Sequence, residues 1–210
     1  MNRKKLGIFL GLLVAFVLWT VAVCLVDVKV VGPQNTSVGF ADLNCFFHNL
    51  TGVNFLLYHI TDWLGLVPVG VCMCFAVFGL IQWIRRKSIC KVDFSILALG
   101  GFYIVTIAGY LLFENVVINY RPVLICGILE ASYPSSTTML TLCVMPTAAM
   151  QLNTRIKNSI FRKCIIIGIM AFTVFMVIGR FLSGVHWFSD IVGGMLLSAA
   201  LVTMYAFVTD

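Results

Sequence analysis

Long apolar runs separated by polar loops dominate this chain. They cover residues 6–26, 64–84, 92–113, 134–152, 164–182 and 188–208. A run of about 20 apolar residues, coiled as a helix, is long enough to cross the hydrocarbon core of a bilayer. Backbone groups facing hydrocarbon must find partners within their own segment, so such runs are helices and not strands. The pattern predicts an all-α membrane protein, a six-transmembrane-helix bundle, with residues 1–210 as one integral-membrane domain. The first run follows Arg3, Lys4 and Lys5, as a signal peptide would. It is longer than a usual signal core and lacks a small-residue exit, and Val23 before Cys24 spoils a lipoprotein cleavage site. The reading is a retained first helix.

Composition agrees with this. Hydrophobic residues make up 61% and charged residues 10% of the chain, and the mean hydropathy is +1.05. A soluble domain carries about 25% charged residues, so the solvent of this chain is lipid. The net charge of +6 does not point to nucleic acid, because of where the charges lie. Arg3, Lys4, Lys5, Arg85, Arg86, Lys87, Lys91, Arg155, Lys157, Arg162 and Lys163 all fall on one side of the predicted bundle. The positive-inside rule places those loops in the cytosol, together with both termini. Lys29, Arg121 and Arg180 remain for the outer side, with Asp27, Asp42, Asp62, Glu114, Glu130 and Asp190.

Two further features are modest. The loop at 27–63 is rich in Phe, Leu and Trp from residue 40 onward, which predicts a short helix in the membrane interface. The eight cysteines are scattered with no paired CxxC spacing, so no metal is expected. Cys45 and Cys126 share the outer side, which permits a disulfide without requiring one.

Three segments with chemical content fall on that outer side: ENVVINYRP at 114–122, YPSSTT at 133–138 and GRFLSGVHWFSD at 179–190. In the third, His186 and Asp190 are spaced to share one helical face. A carboxylate on one imidazole nitrogen leaves the other free as a base or nucleophile; the plainer reading is a structural pair. Arg180 lies beside them, at the end of the fifth run. In the second, Pro134 suits the first helical turn, whose free N–H groups attract an anion. Ser135, Ser136 and Thr137 add hydroxyls, of which simple capping needs only one. Arg121 supplies another guanidinium suited to phosphate oxygens.

These segments resemble the signature of the type 2 phosphatidic acid phosphatase superfamily, KxxxxxxRP, PSGH and SRxxxxxHxxxD. The chain has ExxxxxxRP from Glu114 to Pro122, PSST from Pro134 to Thr137 and GRxxxxxHxxxD from Gly179 to Asp190. The resemblance spans about the C-terminal half. It implies a membrane-embedded hydrolase, with no cofactor, that removes phosphate from a lipid at the outer face. His186 would be the catalytic nucleophile that takes the phosphoryl group, oriented by Asp190. Arg121, Arg180, Ser135, Ser136 and Thr137 would bind phosphate.

Three positions depart from the signature. Thr137 stands where the family has the histidine that protonates the leaving group, Glu114 where it has lysine, and Gly179 where it has serine. A threonine does not donate protons near neutral pH. A diphosphate expels a phosphate, whose second pKa is near ~6, whereas a monoester expels an alkoxide, whose conjugate acid is about as weak as water. The expected substrate is therefore a lipid diphosphate, undecaprenyl diphosphate first. Phosphatidate or phosphatidylglycerophosphate is the alternative substrate, and an inactive lipid-phosphate-binding relative the alternative function. Glu114 is an auxiliary candidate, as proton donor or as partner of Arg121 or Arg180. His48 and His59 are weaker proton-donor candidates.

Overall fold

A computed structural model describes residues 3–210. Its helices are α1 (Arg3–Leu25), α2 (Ala41–Thr51), α3 (Phe55–Leu64), α4 (Leu66–Arg86), α5 (Phe94–Asn115), α6 (Ser136–Arg155), α7 (Ser159–Leu182) and α8 (Phe188–Val208). A two-residue antiparallel pair, Lys29–Val30 with Ser37–Val38, closes the loop after α1. Each of the six apolar runs is helical. Among the described residues five segments can cross a membrane by length and apolarity: Arg3–Leu25, Phe55–Arg86, Phe94–Asn115, Ser159–Leu182 and Phe188–Val208.

The exception is α6, and its packing explains why. It touches α4, α5, α7 and α8, so neighbouring helices and not lipid surround it. Thr138, Thr141, Thr147 and Gln151 are buried along it. The Thr147 hydroxyl donates back to Cys143 O at 2.8 Å, and Ser198 of α8 donates to Met139 O at 3.2 Å. Polar residues are tolerated there because protein atoms accept their hydrogen bonds.

The long loop holds two helices where one was expected. They do more than float in the interface: α3 packs on α7, and α2 on α8. Asn44 of α2 accepts from Ser189 N at 3.0 Å and donates to Ser189 Oγ at 2.9 Å. Trp19 of α1 donates to Ser189 O at 3.0 Å. The N-terminal half thus fixes the start of α8.

Glycine makes these approaches possible at two places. A Cβ at Gly179 would lie 2.7 Å from Thr61 Cγ2, so a bare backbone lets α3 sit against α7. At Gly184, φ is +66° and a Cβ would stand 1.8 Å from Gly52 O, a left-handed conformation that glycine adopts without a steric cost. The absent serine hydroxyl at 179 therefore has a packing reason. All eight cysteines are free, with Cys45 half-buried and Cys126 exposed; the disulfide left open above does not form.

Candidate active site

The first arm of the site is a short ladder. Tyr120 and Ala131 form an antiparallel bridge. Arg121 N donates to Glu130 O at 3.0 Å, and Ser132 N donates to Asn119 O at 2.9 Å. The ladder carries Arg121 and Ser132 on facing segments of the loop. Trp187 locks it to the third segment by donating from Nε1 to Tyr120 O at 2.7 Å.

Arg180 comes from the last turns of α7 and is 1% exposed. Its Nη1 donates to Thr61 Oγ1 at 3.4 Å and stands 3.6 Å from Asp62 Oδ1. The Tyr58 ring lies beneath it, 5.0 Å from the guanidinium carbon, and the same ring lies 6.0 Å from that of Arg121. One phenol from α3 therefore serves as a platform for both cations. Glu130 Oε2 sits 3.0 Å from Arg121 Nε as an ion pair, though without hydrogen-bond alignment.

His186 lies in the turn between α7 and α8 and is buried. Burial holds its imidazole well below the ordinary histidine range, and the guanidiniums of Arg121 and Arg180 push it further down. The ring is thus neutral, with a lone pair, at physiological pH.

The expected contact between His186 and Asp190 needs correction. Helix α8 begins at Phe188, so His186 precedes it and a spacing of four no longer means a shared face. Asp190 is three residues past the Trp187 N-cap and accepts from Trp187 N at 3.1 Å, as in a capping box. It also accepts from Asn119 Nδ2 at 3.1 Å, Ser189 Oγ at 3.4 Å and Ser132 Oγ at 2.5 Å. Ser132 Oγ in turn lies 2.9 Å from His186 Nδ1. A serine stands between the carboxylate and the imidazole.

The hydroxyl segment divides. Ser135 is fully buried: its N–H donates to Asp190 O at 3.0 Å and its hydroxyl to Thr138 Oγ1 at 3.0 Å. Its side chain is held inside the protein and does not present itself to a ligand. Pro134 lies outside α6, before the Ser135 N-cap, and not in the first turn as expected. Ser136 and Thr137 line a cavity of 590 Å³ whose polar end includes Asp62 and whose other walls include Val69, Met73, Ile107 and Leu140. Glu114, on the last turn of α5, is exposed and lines a small pocket with Ser132 and Ser136. It pairs with neither arginine; Glu130 and Asp62 take that place. The His48 ring lies 5.5 Å from that of Trp187 at a tilt of 56°, and His59 is exposed beside Tyr58.

The sequence reading missed Ser132, Asn119, Tyr58 and Asp62 as site residues. Asn119 lies within a quoted motif and Ser132 directly before one, so their neighbourhood was the available signal. Tyr58 and Asp62 gave none, being an aromatic and an acid in a loop of many. Among the described residues no group of three or more His, Cys, Asp or Glu side chains stands together.

Buried polar atoms in proteins are nearly all hydrogen-bonded. Among the described residues six buried side-chain atoms have no hydrogen-bond partner: His48 Nδ1, Arg121 Nε and Nη1, Thr141 Oγ1, Arg180 Nε and His186 Nε2. Four of these six belong to the three residues gathered here. Two guanidiniums beside one neutral ring nitrogen fit a tetrahedral oxyanion.

Residues 114–210 match the PAP2 superfamily model. The whole fold is similar to the crystal structure of a transmembrane PAP2-type phosphatidylglycerolphosphate phosphatase from Bacillus subtilis. That likeness has a TM-score of 0.58 and 17% sequence identity, over 95% of this chain and 94% of that one. No curated protein sequence matches the chain. That matched stretch, residues 114–210, supplies both arginines, the buried histidine and the carboxylate behind it.

Proposed function

We propose that this protein is a membrane lipid phosphatase that uses His186 Nε2 as its nucleophile at the extracytoplasmic face. The observation that carries this reading is the set of buried nitrogens on Arg121 and Arg180 that lack a hydrogen-bond partner, near an imidazole nitrogen that lacks one too. Arginine donors of this kind stabilise the charge on a transferring phosphoryl group. In the first step the Nε2 lone pair forms a bond to phosphorus. The bond from phosphorus to the leaving oxygen breaks, and its electron pair departs with the lipid product. Water then cleaves the P–N bond, which releases inorganic phosphate and restores the neutral ring. The topology adopts α6 as a sixth crossing, shielded by its neighbours, with both termini in the cytosol.

Thr137 at the cavity mouth leaves the leaving group without a strong acid. General-acid help is worth about 10²–10⁴-fold where it is needed. A departing phosphate does not need it, so the substrate is a lipid diphosphate, undecaprenyl diphosphate first. The second reading is a phosphatidylglycerophosphate phosphatase. Its support is the activity named for the Bacillus subtilis structure, together with Asp62, a carboxylic acid that lines the same cavity as Thr137. An inactive binder of lipid phosphates would have no use for a neutral imidazole between two arginines.

Phosphate release from the purified protein tests this. With undecaprenyl diphosphate, phosphatidylglycerophosphate and phosphatidate compared, turnover confined to the diphosphate is expected. Equal turnover of a monoester removes the leaving-group argument, and tight binding without release identifies an inactive relative.

A further inference from the structure

We propose that Ser132 is a positioning residue that selects the tautomer of His186 and passes to it the influence of Asp190. The inference rests on the phosphatase reading and deepens it.

The argument is a count of donors. A serine hydroxyl has one proton to give and can accept as well. Ser132 Oγ lies 2.5 Å from Asp190 Oδ2, within the range of a charge-assisted O–H···O⁻ bond. The other partners of Asp190, namely Trp187 N, Asn119 Nδ2 and Ser189 Oγ, all donate to it. Asp190 is thus a pure acceptor, and the Ser132 proton belongs to it. Toward His186 Nδ1, 2.9 Å away, the serine oxygen has only lone pairs left. Nδ1 must carry the proton and donate it. Nε2 then keeps its lone pair, and Nε2 is the buried atom without a partner.

The carboxylate acts at one remove. When Nε2 bonds to phosphorus the ring becomes cationic. The Ser132 dipole, aligned by Asp190, stabilises that charge through Nδ1–H. The backbone holds the serine in place, since Ser132 N donates to Asn119 O while the side chain of Asn119 donates to the same Asp190. Ser132 is 3% exposed and Asp190 is fully buried, so water does not compete for these bonds.

The chain has three histidines, so ¹⁵N-histidine NMR of the intact protein in detergent resolves the ring of His186. At about pH 8, above the ordinary histidine range, the wild type is expected to show Nδ1–H with Nε2 unprotonated. Ser132→Ala is expected to give a tautomer mixture, with kcat reduced about 10²-fold and KM within about threefold of the wild type. A catalytic histidine left wholly in the wrong tautomer loses roughly 10⁴-fold. Ser132→Cys, which keeps the shape but donates weakly, is expected to fall between the two. It also decides the matter should the alanine variant not fold. An Nε2–H ring in the wild type overturns the proposal, as does an unchanged tautomer with unchanged kcat in Ser132→Ala and Ser132→Cys. If no lipid phosphate is hydrolysed yet the tautomer still follows residue 132, the phosphatase reading falls and the role of Ser132 stands.

Discussion

The two ends of the bundle each hold a pair of arginines, and they treat them in opposite ways. At the basic end, Arg155 donates from Nη1 to Asp93 Oδ2 at 3.0 Å, from Nε to Gln151 Oε1 at 3.0 Å and from Nη2 to Ser95 Oγ at 3.2 Å. Its guanidinium also lies 5.0 Å from the Phe78 ring. Arg86 reaches the other Asp93 oxygen at 2.9 Å, and Gln82 completes the set. Hydrogen bonds from Gln82, Arg86 and Arg155 pull the Asp93 carboxyl down to about 2. At the far end, Arg121 and Arg180 are more deeply buried, yet three of their nitrogens lack a hydrogen-bond partner. Their carboxylates, Glu130 and Asp62, are off-line or long. A saturated cluster ties helices together; an unsaturated one in a drier place stores attraction for an anion that the protein does not itself supply.

Breaking the far end should destroy activity first. Replacing the nucleophile, His186→Ala, is expected to lower kcat by about 10⁴-fold or more and to remove any acid-labile phosphoenzyme, as read by phosphate release and phosphoprotein gels. Arg121→Lys and Arg180→Lys keep a charge but lose the planar fork. Each is expected to lower kcat/KM by about 10²–10³-fold, the size of effect seen when one oriented donor is lost.

Smaller changes sharpen the contrast. Thr137→His restores an acid and is expected to raise monoester turnover by up to about 10²-fold while leaving diphosphate turnover nearly unchanged. Equal gains on both would show that the leaving group is not the issue. Tyr58→Leu removes the shared platform; the loss of about 0.5–2 kcal/mol should raise KM for the phosphate headgroup, with kcat little altered. The counterpart at the basic end is Asp93→Asn. It should lower Tm by roughly 2–4 °C per kcal/mol lost and leave kcat intact, because nothing there touches substrate. The Asp93 contribution is present above the ordinary carboxylate pKa and fades as pH falls toward 2, so the Tm values of variant and wild type should converge in acid.

The imidazole adds a test in pH alone. Since His186 is held well below the ordinary range, its lone pair survives acidification past about 6.5, and kcat/KM should stay flat there. The unfolded chain takes up a proton at that pH and the folded one does not, so stability falls as pH drops below about 6.5. His186→Gln should flatten that slope in Tm against pH.

The residues that were legible in the sequence are those whose message is local. A long apolar run declares a helix in lipid wherever it occurs, and five of the six expected helices follow from that, while α6 takes its place from the neighbours that cover it. The basic loops declare a side. Arg121, Arg180 and His186 stood out because charge and imidazole are rare in such a chain. Gly179 was visible as a departure, but Thr61 gives its reason only once α3 packs against α7.

What the sequence by itself determined was a helical membrane bundle and a short list of polar residues between its apolar runs. Only the tertiary structure decided their partners. Ser132 meets His186 and Asp190 across 54 and 58 residues, and Arg180 meets Thr61 across 119. Hydropathy reports each segment's solvent one residue at a time. Hydrogen-bond partnership depends on which helix ends the packing brings together, so the serine between carboxylate and imidazole, the tyrosine under two arginines and the withdrawal of Ser135 emerge only from the packed chain.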